Sequence, residues 1–357
     1  MHVPFCMTIC PYCAFYKVSF TQEAVSIFID HLLVEMNRYH SRYGRLTVDT
    51  IFFGGGTPNV LSKAHMSSIM TAIHTCFNVV SDVEFSMEMN PGIHSISKLQ
   101  FFKDMGVNRV SVGAQSFSQS VLDDYGRRHS VSDTLDFICD VRSVGFNNVS
   151  VDIMFGHLDH QVADLKTSLQ HVLDLKISHV ALYGLAILEG TPFGDMGLHV
   201  DDDQQADQYA MIQDVLTSHG YGQYEVSNFA LDGFQCRHNI KYWTFQPTVG
   251  LGPGAHSFFN ERRYANAPDY QTYLSRGDQD DADALVDVGL YLATRLRYLV
   301  PINHHDFLDR FGEDVVARIG PKLKEFSLMG WMILDEDGFM LSDRGCLVLD
   351  ELVGHFS

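Results

Sequence analysis

The feature that most limits the fold is an alternation running through the first half of the chain. Short apolar runs, each the length of one strand, are separated by stretches with apolar residues every three or four positions. After Val3, the apolar run from Val48 to Phe53 is followed by strand-like runs at 83–88, 108–113, 148–154 and 179–185. Helical patterns lie between them, near 62–76, 95–105, 131–144 and 162–175. The first helix is the clearest. Val25, Phe28, Ile29, Leu32, Leu33 and Met36 form one stripe, with Thr21 placed to cap it and Glu23 in its first turn. The strands read as apolar on both faces, as in a parallel sheet covered by helices. Six strand and helix units counted from Val3 predict a barrel-like (β/α) repeat, with its site at the carboxyl ends of the strands.

Ahead of the first helix the chain reads His2-Val3-Pro4-Phe5-Cys6, then Cys10 and Cys13, a C-x₃-C-x₂-C spacing crowded by Pro11, Tyr12 and Phe15. Three thiolates turned toward one point are one short of the four that fully ligate a [4Fe-4S] cluster, which leaves one iron open to a non-protein ligand. The alternatives are a structural zinc site and ordinary buried thiols. Zinc prefers four closed ligands, commonly in two pairs, and no second pair follows at that distance. Cys76, Cys139, Cys236 and Cys346 are scattered without a disulfide framework, which fits a reducing cytosol.

The predicted strand ends carry the other candidate residues. Gly54-Gly55-Gly56-Thr57-Pro58 removes side chains where backbone groups can approach a ligand, or is simply a turn. Glu88, in Glu-Met-Asn-Pro-Gly, can accept hydrogen bonds from sugar hydroxyls, or is a solvated loop acid. Gln115 ends the next strand, Arg127 follows in Gly-Arg-Arg-His, and Asp152 lies inside an apolar strand where an unpaired acid is costly.

A second constellation comes after the repeat: Tyr224 to Phe229, Cys236-Arg-His238-Asn239-Ile-Lys-Tyr242-Trp243, and Gly252-Pro-Gly254-Ala-His256. Rings beside imidazoles can form an apolar slot with an axial nitrogen for haem iron, or a packed aromatic loop. From 244 to about 284 the chain reads as irregular, with Gly277 to Asp281 as a surface linker. A small unit then begins. Leu285, Val288, Leu292 and Leu296 suggest a helix, a second follows Asn303, a third starts at Pro321, and a hairpin surrounds Asp335 to Gly338, together resembling a winged helix. The expected divisions are 1–230, 231–284 and 285–357. With 25 Lys and Arg against 44 Asp and Glu, the formal charge of -19 opposes nucleic acid as a partner. No export signal or membrane span is read from the sequence, and a cytoplasmic protein is expected.

The cysteine spacing and its neighbours resemble the radical S-adenosylmethionine (SAM) superfamily, and His-Val-Pro-Phe-Cys narrows this to its HemN/HemW branch. The resemblance implies an α/β fold: a partial (β/α)₆ TIM-like barrel with a small C-terminal winged-helix-like α+β domain that covers the barrel mouth. It implies a [4Fe-4S] cluster on Cys6, Cys10 and Cys13, whose open iron is chelated by SAM's methionine moiety and whose reduced form cleaves SAM to a 5'-deoxyadenosyl radical. Gly55, Gly56 and Thr57 then cradle the methionine end, and Glu88, Gln115, Arg127 and Asp152 match the family's other SAM contacts, although Arg128 adjoins Arg127.

His238-Asn239-x-x-Tyr242-Trp243 resembles the HNxxYW motif of the haem-chaperone side of the branch. It implies haem as a ligand, His238 as its first candidate ligand and a haem-accepting protein as partner, met in the cytoplasm or at a membrane surface. His157, His256 and Cys236 are further candidates. Oxygen-independent coproporphyrinogen III oxidases of the branch continue the motif to C-x₃-C-x₂-C-x-C, whereas position 15 here is Phe15. That favours the chaperone and leaves an oxidase decarboxylating porphyrinogen propionates as the alternative. Radical modification of RNA is weakened by the net charge. Two departures stand out. The family's Gly-Leu-Pro-Gly-Gln is replaced by Gly156-His157-Leu158-Asp159-His160-Gln161. The family's aromatic residue six positions before the first cysteine falls ahead of Met1, so the native chain is expected to begin earlier or to lack that contact.

Overall fold

The alternation folds into a curved parallel sheet wrapped by helices. The structure is a computed structural model and describes residues 1–156, 162–276 and 281–356. The sequence departure at His157 to Gln161, the candidate His157 and the linker residues Gly277 to Asp280 lie outside the described residues. The parallel strands are β1 (His2–Val3), β2 (Thr47–Gly55), β3 (Asn78–Met89), β4 (Arg109–Gln115), β5 (Asn148–Phe155) and β6 (His179–Gly184). They neighbour one another in chain order, as a six-stranded part-barrel requires. Two strands that the sequence reading did not anticipate, β7 (Gly222–Glu225) and β8 (Asn228–Ala230), extend the sheet antiparallel beyond β6, in the order β6-β8-β7.

Helix α1 (Gln22–Tyr43) starts at Thr21, whose hydroxyl accepts from Ala24 N at 3.2 Å, and its expected stripe is buried except for half-buried Leu33. Helices α2 (Lys63–Cys76), α3 (Ile96–Asp104), α4 (Val131–Ser143) and α5 (Val162–Asp174) follow their strands as expected. The long helix α6 (Asp202–Ser218) was not read from the sequence. Its apolar signal is diluted because Gln208 is among its buried residues and donates no apolar surface.

The strands are not apolar on both faces. Phe53, Phe85, Met87, Val110, Val112, Val149, Val151 and Ile153 pack outward into the main core beneath the helices. Between them, Ser86, Arg109, Ser111, Ser150 and His179 are buried on the other face. The register pairs Glu88 with Ser111 and Ser111 with Ser150, so neighbouring polar residues share the lumen side. The six-stranded barrel therefore has a polar interior.

The stretch from 244 to 284 is not irregular. His256–Phe259, Arg262–Ala265 and Asp281–Leu285 form a three-stranded antiparallel sheet, and Tyr270–Arg276 is a helix. In the C-terminal unit, helices Val288–Arg295, His304–Phe311 and Glu313–Leu328 stand with a small sheet in which Ile302–Asn303 joins the predicted hairpin Met332–Leu334 and Gly338–Leu341. Pro321 does not start a helix; it lies within Glu313–Leu328, where buried Ile319, Leu323 and Phe326 hold the helix through it. This unit adds to the β7 edge, with Val226 N bonded to Arg297 O and Leu299 N to Tyr224 O, both at 3.0 Å. Among the described residues, those lining the cavity at the barrel mouth end at Leu188, and none belongs to the C-terminal unit. Among the same residues no helix is long and apolar enough to cross a membrane.

Candidate functional site

Beyond β1 the chain makes a second short parallel pair, Phe5–Cys6 with Val18–Ser19, tied by Val18 N to Pro4 O and Phe20 N to Cys6 O. This closes the base of the cysteine loop. Its tip is held by Cys13 N to Cys10 O at 3.2 Å and by Phe193 N to Pro11 O at 3.1 Å, and the Tyr12 ring packs on Tyr125 and Phe193.

The glycine turn after β2 explains why the loop lies where it does. Gly56 N bonds Val3 O and Thr57 N bonds Phe5 O, both at 2.8 Å, while Gly55 N bonds Glu88 Oε2 at 3.0 Å. The amides are thus engaged within the protein, and the missing side chains admit the N-terminal strand. Gly55 has φ +105 and a Cβ there would fall on the His2 ring; at Gly56 it would stand 2.7 Å from Phe5 O.

A cavity of about 500 Å³ opens at this end of the barrel. Cys6, Cys10, Cys13, Gly55, Gly56, Thr57, Glu88, Gln115, Arg127 and Asp152 all line it, so every candidate cluster and SAM residue meets at one place. Arg127 faces inward and donates to Asn90 Oδ1 (2.7 Å), Gly113 O (2.8 Å) and Cys10 Sγ (3.5 Å), whereas Arg128 is exposed. Thr57 Oγ1 donates to Cys6 Sγ at 3.7 Å. Gln115 sits in the left-handed region at φ 67, where β4 loses register with β5, a strained geometry of the kind found at ligand sites. Burial pushes the Cys6 and Cys13 thiols up from their ordinary range, with Thr57 and Lys17 respectively opposing the shift. Among the described residues no group of His, Cys, Asp and Glu closes around a single metal ion.

Two acids face each other across the lumen. Asp152 accepts from Ser111 Oγ at 3.0 Å, and burial pushes it up to about 6. Burial, then the Asp152 charge, pushes Glu88 up to about 7. The folded state therefore holds the Glu88 proton to higher pH than the unfolded chain does. Stability from this group is complete below about pH 4.5 and is lost as pH rises to about 7. Glu88→Gln, which keeps an acceptor for Gly55 N, is expected to stabilise the cofactor-free protein by up to about 3 kcal/mol at pH 8. Urea unfolding at the two pH values checks this, since the variant and wild type should converge at pH 4.

The haem candidate His238 lies apart from that cavity. It belongs to helix α7 (Arg237–Trp243), whose first amides, Arg237 N and His238 N, are capped by the Glu84 carboxylate at 3.0 Å. Its ring stacks on Phe52, with Nδ1 2.9 Å from Thr50 Oγ1 and Nε2 3.2 Å from Tyr242 Oη. Burial holds its pKa down to about 3, so the imidazole is neutral. It borders a separate cavity of about 190 Å³. The Cys236 thiol is buried and points to Glu84, and His256 is exposed at a strand start. Sequence reading passed over Asn90, Met154, Lys17 and Tyr183 on the cavity wall. Tyr183 was accessible to the strand-end rule that found Gln115; Asn90 lay inside the quoted Glu-Met-Asn-Pro-Gly.

The family model described as the Radical SAM superfamily matches residues 1–172. The heme chaperone HemW of Bacillus subtilis (strain 168) is 30% identical over 370 residues, covering 100% of this chain and 98% of the relative. The chain belongs to the radical SAM superfamily, in its HemN/HemW branch. The heme chaperone HemW of Lactococcus lactis subsp. lactis (strain IL1403) is 36% identical over 279 residues, covering 76% of this chain and 72% of the relative. In fold, this radical SAM protein resembles the solved coproporphyrinogen III oxidase HemN of Escherichia coli, with a TM-score of 0.84 at 20% identity, covering 99% of this chain and 88% of the other. The cavity's donor set fits the superfamily's cluster: three thiols line it, and Cys76, Cys139, Cys236 and Cys346 do not.

Proposed function

We propose that this chain is a haem chaperone of the HemW type, holding a [4Fe-4S] cluster on Cys6, Cys10 and Cys13 with SAM beside it and passing haem to an acceptor protein. Phe15 carries the reading. It stands where the oxidases of the branch have a further cysteine, and it is 73% exposed on the cavity wall. Full-length relatives named as heme chaperones support it. When bound, the cluster and SAM supply one-electron and radical chemistry. The chain's own residues bind and orient. Thr57 and Arg127 direct donors at two cysteine sulfurs, and Glu88 and Asp152 present carboxyl oxygens suited to nucleoside hydroxyls.

His238 would supply a nitrogen donor to haem. Thr50 Oγ1 holds Nδ1, as a hydrogen-bond partner fixes the ring of a metal-bound imidazole, so Nε2, now beside Tyr242 Oη, would be the nitrogen offered to iron. The adjacent cavity is too small to enclose a tetrapyrrole, so a haem held by His238 would stay largely outside it. In a haem titration followed by the Soret band, His238→Ala should weaken binding at least about tenfold and Tyr242→Phe should strengthen it. Unchanged affinity in both variants removes His238 from the site.

The function itself is tested with cluster-reconstituted protein held anaerobically. Haem-loaded protein should transfer its haem to a haem-free acceptor, and coproporphyrinogen III supplied with SAM and a strong reductant should stay unchanged by mass spectrometry. Successive losses of carbon dioxide, absent when Cys6, Cys10 and Cys13 are replaced by Ala, would establish the oxidase instead.

A further inference from the structure

Two hydrogen bonds that reach cysteine sulfurs, from Thr57 and from Arg127, meet at one further side chain. Asn90 lies just past the end of β3. Its Oδ1 accepts from Arg127 Nη2 at 2.7 Å and its Nδ2 donates to Thr57 Oγ1 at 2.9 Å. Each partner then reaches a different thiol, Arg127 Nη1 to Cys10 Sγ at 3.5 Å and Thr57 Oγ1 to Cys6 Sγ at 3.7 Å. The sense of these bonds matters. A hydroxyl has one proton, and a Thr57 oxygen that accepts from Asn90 keeps that proton for Cys6. On the other side, the Asn90 carbonyl fixes one arm of the guanidinium fork, which sets the direction of the arm aimed at Cys10.

Asn90 is itself held firmly. Buried Asn59 accepts from Asn90 N at 3.2 Å and donates to Asn90 O at 3.1 Å. Room for the amide comes from Gly113, where a Cβ would stand 2.6 Å from Asn90 Oδ1. An amide is the side chain this place calls for, because it must accept on one side and donate on the other.

We infer that Asn90 is a positioning residue that aims one hydrogen-bond donor at each of two cysteine sulfurs and thereby raises the reduction potential of a cluster held by Cys6, Cys10 and Cys13. The inference rests on the proposed ligation by those cysteines. Reduction adds negative charge to the sulfurs, donors stabilise that charge, and their loss favours the oxidised cluster. Without Asn90 the Thr57 hydroxyl is free to turn, and the Arg127 fork loses its Asn90 anchor while keeping the Gly113 carbonyl and its contact with Tyr12.

The test compares wild type, Asn90→Ala, Thr57→Val and the double variant, each reconstituted anaerobically and titrated without SAM while the reduced cluster is followed by electron paramagnetic resonance. At the wild-type midpoint potential, the reduced-to-oxidised ratio in Asn90→Ala should fall about tenfold, a shift of ~59 mV for one electron. Thr57→Val should shift the same way by less. Asn90→Ala should add less in the Thr57→Val background than alone, because one of its two routes is already gone. If Asn90→Ala does not fold, Thr57→Val must still lower the midpoint. A wild-type protein that takes up no cluster refutes the ligation beneath the inference. An intact cluster with equal potentials in all folded variants, or with shifts that simply add, overturns the role of Asn90 and leaves the ligation standing.

Discussion

Gly56→Ala is expected to cost about 3 kcal/mol of stability and to abolish cluster uptake, an effect larger than its single added methyl suggests. The new Cβ would stand 2.7 Å from Phe5 O and 2.8 Å from both Val3 O and Pro4 C. All three are backbone atoms of the segment that leads into Cys6, so no side chain can rotate away to make room. The same segment is tied to the turn by Gly56 N to Val3 O and Thr57 N to Phe5 O. Relieving the clash therefore breaks the bonds that set the height of Cys6 above the barrel. Iron content after anaerobic reconstitution and the urea midpoint of the cofactor-free protein measure the two effects separately. A variant matching wild type in both would mean that the turn tolerates separation from the N-terminal strand.

Glu35→Ala is expected to destabilise the protein by about 3–5 kcal/mol although Glu35 lies far from the cysteines in the chain. Its side chain is only 2% exposed. Oε2 accepts from Gly252 N at 3.0 Å and from Tyr273 Oη at 2.8 Å, and Oε1 accepts from Asn266 Nδ2 at 2.6 Å. Removing the carboxylate strands those donors in the interior, where each unmade bond is costly. The consequence reaches the site through Gly252. Leu251 O accepts from His2 N at 2.8 Å, and a Cβ on Gly252 would meet His2 O, so this loop closes the free side of β1. Glu35→Gln, which keeps one acceptor oxygen, should lose less. Urea unfolding of the two variants decides the matter, and a loss under 1 kcal/mol for Glu35→Ala would show that the loop is held by other contacts.

The contrast between these two residues marks where sequence reading succeeds. Gly56 was legible because it sits in a run of three glycines at a strand end, and the strand itself was announced by a local apolar run. The stripe of α1, its Thr21 cap and the C-x₃-C-x₂-C spacing are likewise properties of neighbouring residues. Strand order followed from them, since short connections through helices leave a parallel part-barrel as the simple solution. Ten candidate residues from separate strand ends then had to meet, because a barrel brings its carboxyl ends to one rim.

Glu35 was not legible. One carboxylate on an amphipathic helix looks like any solvated acid until residues over two hundred positions later fold onto it. Asn90 and the polar lumen share that origin. The inward Ser86, Arg109, Ser111 and Ser150 are separated in sequence by apolar residues that satisfied the helix-facing side and masked the alternation. Strands β7 and β8 and the sheet formed by 256–259, 262–265 and 281–285 are short, and their stability comes from pairing rather than from their own composition. The motif around His238 shows the division in one residue. Its spacing was visible in the chain, but only the fold engages Nδ1 with Thr50 and Nε2 with Tyr242 and sets the ring apart from the cysteine cavity. Local patterning and motif spacing determined the elements and the chemistry gathered at their ends. Tertiary structure decided which polar groups face each other, because hydrogen-bond partners distant in sequence leave no periodic trace.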